Sequence, residues 1–185
     1  MERCAWCGTD PLYVEYHDTE WGVAVRDDQK LFEFLILDAF QAGLSWLTIL
    51  RKRENFRRAF SDFDANKIAL YDAQKVEELM LDSGIVRNRM KIEATINNAQ
   101  QYLRIKSEKG SFSDFIWSFV DGNTIVNQRQ NLSEVPAKTD ESDKMSKELK
   151  KQGFKFVGST ICYAFMQAAG LVNDHIVSCH RFKQV

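Results

Sequence analysis

The stretch Leu31-Phe-Glu-Phe-Leu-Ile-Leu-Asp-Ala-Phe40 is apolar around almost its whole circumference when wound as a helix, yet it carries a carboxylate, Asp38, near its end. A helix without a polar face belongs in a protein interior. The segment therefore predicts a buried helix over residues 31–42, with Gly43 as an interruption. An unpartnered carboxylate is costly in such surroundings, so Asp38 is expected either to be satisfied by structural partners or to face a cavity. Trp6, Tyr13, Tyr16, Trp21 and Trp46 gather around it in sequence. An acid among amphipathic rings suits a flat, electron-poor or cationic ligand.

Patterning elsewhere is mostly of period 3.6, with only two prolines, Pro11 and Pro136. Trp46, Ile49, Leu50, Arg53, Phe56 and Phe60 stripe a second helix, and Asp64 and Asp72 are placed to cap two short ones. Ile92, Ile96, Ala99 and Leu103 line a longer helix, and Ser111 can cap the next. Residues 123–138 are polar and weakly patterned, which predicts a loop or extended excursion. Helices are expected over 140–152 and 156–169, ended by Gly153 and Gly170. No strand-rich stretch and no internal repeat stands out, so the class is all-α.

At 185 residues and a net charge of −1 the chain has room for one sizeable core and no global field to attract a polyanion. A nucleic-acid partner would have to be met by a local patch. No apolar run reaches membrane-spanning length, and Met-Glu-Arg-Cys-Ala-Trp lacks the layout of a signal peptide. A cytoplasmic, membrane-free protein is the expectation.

The chain ends hold a second constellation. Cys4 and His17 lie near one terminus, and His175 and Cys179 near the other, four residues apart, a spacing that would put both on one helical face. Two thiolates and two imidazoles suit a closed tetrahedral zinc site. Cys7 and His180 compete for the same role, since Cys4-x-x-Cys7 is itself a common half-site. Residue type alone leaves the choice open, and scattered unconnected residues remain the plain alternative. Cys162, in an apolar run, reads as a small buried hydrophobe.

Ser83-Gly-Ile-Val-Arg-Asn-Arg-Met-Lys-Ile92 joins two helices through a glycine-containing turn followed by Arg87, Arg89 and Lys91. Such a hairpin can offer backbone N–H groups and a helix N-terminus to a phosphate. It can equally be an ordinary helix connection with solvated cations. Arg51, Lys52, Arg53, Arg57 and Arg58 form a further basic cluster, of the kind that usually marks a solvated helix face.

Arg3-Cys4-x-Trp6, Tyr16-His-Asp-x-Glu-Trp-Gly22, Phe40-Gln-Ala-Gly-Leu-Ser-Trp46, Lys52-Arg-Glu-Asn-Phe56, Gly153-Phe-Lys-Phe-Val-Gly158 and Gly170-Leu-Val-Asn-Asp-His175 occur in order along nearly the whole chain. Together they resemble the 3-methyladenine DNA glycosylase I family. The resemblance implies one glycosylase unit over residues 1–185, monomeric, with the helix-hairpin-helix glycosylase fold and a base pocket between helical lobes. It implies hydrolysis of the N-glycosidic bond of 3-methyladenine in alkylated double-stranded DNA, with free 3-methyladenine as product. It assigns structural zinc to Cys4, His17, His175 and Cys179, leaving Cys7 and His180 as bystanders. It assigns the base pocket to Trp6, Tyr13, Tyr16, Trp21, Asp38 and Trp46, with Asp38 as the catalytic carboxylate. The DNA-binding hairpin falls on Ser83, Gly84, Arg87, Arg89 and Lys91. The family carries glutamate where this chain has Asp38, a side chain one methylene shorter. Two other readings share these features: a zinc-stapled module that only binds a modified base, and a relative that cleaves the backbone through a Schiff-base lysine, for which Lys91 is the candidate.

Overall fold

A computed structural model describes all 185 residues. Nine α-helices carry the architecture: α1 (Pro11–Thr19), α2 (Asp28–Gln41), α3 (Trp46–Ala59), α4 (Ala65–Ile68), α5 (Ala73–Leu81), α6 (Arg89–Lys109), α7 (Phe112–Trp117), α8 (Asp140–Lys151) and α9 (Ser159–Ala168). Short polar side chains start most of them. Asp10, Asp27, Ser45, Asp64, Asp72, Asn88 and Ser111 each accept a hydrogen bond from a first-turn N–H, satisfying donors the helix itself cannot. Thr139 and Ser142 close a reciprocal capping box on α8. Pro11 opens α1 at a position whose N–H has no helical partner anyway.

The apolar run found in the sequence is the central helix. Every residue from Leu31 to Phe40 is buried, and α3, α6, α7 and α9 pack around it. Its other acid, Glu33, is a structural one: Oε1 meets Arg57 at 2.7 Å and Oε2 meets Lys30 at 3.1 Å. The buried apolar side chains of eight of the nine helices merge into one continuous cluster.

Two expectations need correction. The last apolar helix starts at Ser159, not residue 156, because Phe156 takes a left-handed φ of 57° that ends any upstream helical path. The chain also has two short strands, β1 (Ile125–Val126) and β2 (Val172–Asn173), paired in parallel with Ile125 opposite Val172. Two residues each are too few to leave a period-2 signature. Their effect is to bring the polar excursion after β1 alongside the segment after β2, where Val177 N–H donates to the Arg129 carbonyl at 2.9 Å. Gly170 makes the turn from α9 to β2: its φ is 73°, and a Cβ there would lie 2.4 Å from the Val23 carbonyl carbon. No helix is long and apolar enough to cross a membrane.

Candidate active site and metal centre

A cavity of about 280 Å³ opens between the N-terminal segment with α1, the C-terminal half of α2, the start of α3, and α9. All six residues expected at the base pocket line it: Trp6, Tyr13, Tyr16, Trp21, Asp38 and Trp46. The rings lock one another in tilted and edge-on contacts. Trp6 lies 4.8 Å from Trp21 and 5.0 Å from Tyr13 between centroids, and Tyr16 lies 5.6 Å from Trp46. Offset and edge-on geometries are those the ring quadrupoles favour, so the walls are preorganised.

Asp38 faces this cavity with no structural partner. The residue is 3 % exposed, and buried Oδ2 accepts no hydrogen bond. Burial alone, with no neighbouring cation, holds its carboxyl well above the usual range. Burial, with a smaller contribution from neighbouring Asp38, also pushes the Tyr16 phenol up, so that hydroxyl stays protonated. The indole N–H groups of Trp6 and Trp46 are likewise buried and unpartnered. An acceptor and two donors thus stand unsatisfied on three residues that line one aromatic cavity, a combination that native interiors rarely tolerate without a ligand. Nothing in the chain supplies the positive charge Asp38 lacks.

Cys4, His17, His175 and Cys179 converge behind the pocket. All four are buried, and their ligand atoms lie within 4.8 Å of one another. Cys4 Sγ and Cys179 Sγ each stand 3.5 Å from His175 Nδ1, and Cys179 Sγ is 3.5 Å from His17 Nε2. Tetrahedral zinc with Zn–S of ~2.3 Å and Zn–N of ~2.0–2.1 Å separates sulfur from nitrogen by about 3.5 Å, so the donor set fits that ion. The outer nitrogens fit as well. His175 Nε2 lies 3.1 Å from the Trp21 carbonyl, and His17 Nδ1 lies 2.7 Å from Asp18 Oδ1. Donating there fixes both tautomers with a lone pair turned inward. Arg3 in turn grips Asp18 from Nε at 2.9 Å and Nη2 at 2.7 Å, holding its carboxyl far below the usual range. Burial pushes the Cys4 thiol up to about 12 and His175 down to about 4. Without a cation these groups are neutral, and a divalent metal is what turns such thiols into thiolates.

Cys7 and His180 stay outside the cluster. Cys7 donates its S–H to the Cys4 carbonyl at 3.2 Å, and His180 Nδ1 is 2.9 Å from the Glu2 carbonyl. The expected helical face for His175 and Cys179 is not there: both sit in an irregular turn after β2, closed by Cys179 N–H on the Ile176 carbonyl at 2.8 Å. A spacing of four brings two ligands together in a tight turn as well as in a helix.

The hairpin between α5 and α6 spans residues 82–88. Its carbonyls are braced from α3: Lys52 Nζ donates to Ser83 O at 2.9 Å, and Asn55 Nδ2 to Gly84 O at 3.1 Å. Arg87 and Arg89 are exposed, Arg89 paired with Glu77 at 2.8 Å. Lys91 is a correction. It is buried, and its ammonium donates at 2.9 Å to both the Phe40 and Ala42 carbonyls, closing the C-terminus of α2. It is spent on structure and faces neither solvent nor pocket. The basic cluster on α3 is largely neutralised too, with Arg51 on Asp10, Arg53 on Glu20 and Arg57 on Glu33.

The methyladenine glycosylase family model matches residues 6–182. The chain belongs to the methyladenine glycosylase family. Among its relatives, the DNA-3-methyladenine glycosylase 1 of Escherichia coli K12 is 55 % identical over 97 % of this chain and 96 % of its own. The DNA-3-methyladenine glycosylase of Haemophilus influenzae is 51 % identical over 96 % of each. A crystal structure of 3-methyladenine DNA glycosylase I superposes with a TM-score of 0.95 at 52 % identity, covering 97 % of this chain and 98 % of that one. The Staphylococcus aureus enzyme, solved to explain 3-methyladenine recognition, gives 0.94 at 43 % identity, covering 97 % and 96 %. This methyladenine glycosylase has lining residues its sequence did not single out: Gln41, Leu132, Val135, Gln167, Asp174 and Ile176 among them. Gln167 carried the same signal as Asp38, a polar residue inside an apolar helix, and could have been found by it.

Proposed function

We propose that the chain is a monofunctional DNA repair glycosylase that hydrolyses the N-glycosidic bond of 3-methyladenine in alkylated double-stranded DNA. The observation that carries this reading is the unpartnered carboxylate of Asp38 inside the aromatic cavity. Adenine alkylated at N3 and still bound to its sugar is a cation. Bound in the cavity, it supplies the charge Asp38 lacks. Contact with the faces of Trp46 and Tyr16 adds roughly 0.5–2 kcal/mol per cation–π pair. Unmodified adenine, uncharged while still bound to its sugar, gains neither the ion pair nor the cation–π contacts on the way to bond cleavage, and is excised less readily for that reason.

A nucleobase inside a duplex is out of reach, so the nucleotide is first rotated out of the stack, at a cost of ~a few kcal/mol that is least for a damaged pair. Asp38 then accepts from a base N–H. The C1′–N9 bond breaks with its electron pair going to N9, which leaves the base neutral and the sugar oxocarbenium-like. Water adds at C1′ and releases a proton. A cationic purine departs readily, so positioning and electrostatics suffice. With Asp in place of Glu the carboxylate is one methylene farther back, so its contact with the base is made either in a tighter pocket or through a bridging water.

Zinc held by Cys4, His17, His175 and Cys179 supplies a structural cross-link between the chain ends. The α5–hairpin–α6 unit is read as a helix-hairpin-helix that meets the DNA backbone through Ser83, Gly84, Arg87 and Arg89, with the protein acting as a monomer. The test is incubation with a methylated duplex and chromatography of what is released. Free 3-methyladenine supports the reading. Tight binding without release makes the chain a base-reading module instead. Borohydride trapping is expected to capture no covalent complex, since Lys91 is engaged on α2.

A further inference from the structure

The cavity wall holds a second carboxylate with the opposite character. The Asp174 side chain is fully buried and lines the cavity, but every oxygen is engaged. Oδ2 accepts from the Tyr163 hydroxyl at 2.5 Å and from Gln167 Nε2 at 2.8 Å. Oδ1 accepts from Asn127 Nδ2 at 2.7 Å, with Arg129 Nε at 3.6 Å.

One consequence concerns Gln167, which lines the same cavity from α9. A carboxylate only accepts, so the Gln167 amide must turn its NH₂ toward Asp174. Its orientation is thereby fixed, and Oε1 is left as a free acceptor with no donor from the chain. Gln167 sits in the helix turn that also presents Ala164 and Ala168 to the cavity, small side chains that leave its amide uncovered. The α9 backbone is itself anchored there, Gly22 N–H donating to the Gln167 carbonyl at 3.1 Å.

We propose that Gln167, with its amide polarity locked by Asp174, is a specificity-determining residue whose Oε1 accepts a hydrogen bond from an N–H of the flipped base. The inference rests on the reading of this cavity as the base pocket. Together with Asp38 it makes the cavity a two-acceptor site, matched to an exocyclic amine. A purine with a carbonyl at the same ring position meets oxygen with oxygen and is excluded. Asp174 acts through Gln167 and is a positioning residue.

The experiment is calorimetric binding of free 3-methyladenine and free 3-methylhypoxanthine to the zinc-loaded protein, to Asp174→Asn, to Gln167→Leu and to the double variant, with zinc content measured for each. Gln167→Leu is expected to lose about tenfold in 3-methyladenine affinity and to bind 3-methylhypoxanthine no worse than the parent does, narrowing the preference. Asn at 174 can donate, so it frees the amide to flip, and a similar loss is expected there. Because both changes remove one interaction, the double variant is expected to be no weaker than the weaker single one. Losses that multiply, or an unchanged preference in Gln167→Leu, overturn the proposal. Should Asp174→Asn lose zinc, Gln167→Leu alone decides. A parent protein that binds no 3-methyladenine refutes the pocket reading itself, whereas a parent that binds and a Gln167→Leu variant that binds equally refute only this inference.

Discussion

His175 Nε2 and the Trp21 carbonyl oxygen lie 3.1 Å apart, so one hydrogen bond joins the Cys/His cluster to a residue of the aromatic cavity wall. Trp21 packs on Trp6 on one side and edge-on against His175 on the other. With zinc in the cluster as proposed, its removal acts on recognition through the cavity wall as well as on stability. Chelation, or His175→Ala, is expected to lower the thermal midpoint by about 10 °C, corresponding to roughly 3 kcal/mol for a chain of this size. It should weaken 3-methyladenine binding in parallel. Scanning calorimetry and metal analysis on the same samples check this, and zinc-free protein of unchanged midpoint would sink it.

Asp38→Asn is expected to abolish excision and at the same time to stabilise the fold. The acid's carboxyl is raised in the folded protein, which therefore holds the proton more tightly than the unfolded chain does. Stability from this group is full below the unfolded carboxylate range near pH ~4 and falls as pH rises toward the folded value. The asparagine variant lacks that loss. Its advantage should be absent near pH ~4 and grow as pH rises toward neutrality. Urea unfolding of both proteins across that range tests the sign. A variant that is less stable at neutral pH contradicts the burial account.

Trp46→Ala removes a cavity-lining ring that packs against Tyr16 at 5.6 Å between centroids. A tenfold to hundredfold loss of affinity for free 3-methyladenine is expected, from the ~1–3 kcal/mol that base–aromatic stacking contributes. The effect on undamaged duplex affinity should be small. Equal base affinity by calorimetry would remove stacking from the mechanism.

Lys91→Met should cost about 1.5–3 kcal/mol of stability, because two carbonyls at the end of α2 lose a charged donor. The salt dependence of binding to undamaged DNA is expected to stay the same. A slope reduced by about one would instead return Lys91 to the phosphate contacts.

Gly170→Ala is expected to destabilise by at least ~2 kcal/mol, since the left-handed backbone and the contact with Val23 leave no room for a methyl group. Denaturant midpoints measure it directly.

Much of this was legible from residues alone. The central helix followed from an apolar run with no polar face, and the caps at Asp64, Asp72 and Ser111 from side-chain chemistry. All six pocket residues came together as expected. The missing parts share one cause, which is that they depend on chain segments distant in sequence. Lys91 looks like a surface cation until the end of α2 is placed beside it. Asp174 draws no attention until Tyr163, Gln167 and Asn127 converge on it. Which of Cys4, Cys7, His17, His175, Cys179 and His180 share a centre is likewise decided by the fold and not by spacing.

The four-residue cluster also ties together stretches far apart in sequence. Cys4 and His17 supply one half of it and His175 and Cys179 the other. A cut anywhere between residues 21 and 175 leaves two of the four donors on each fragment, and separates Trp21 from the His175 ring that backs it. On the reading proposed above, neither fragment alone closes the metal site, so the two pieces are expected to need each other to rebuild the aromatic wall.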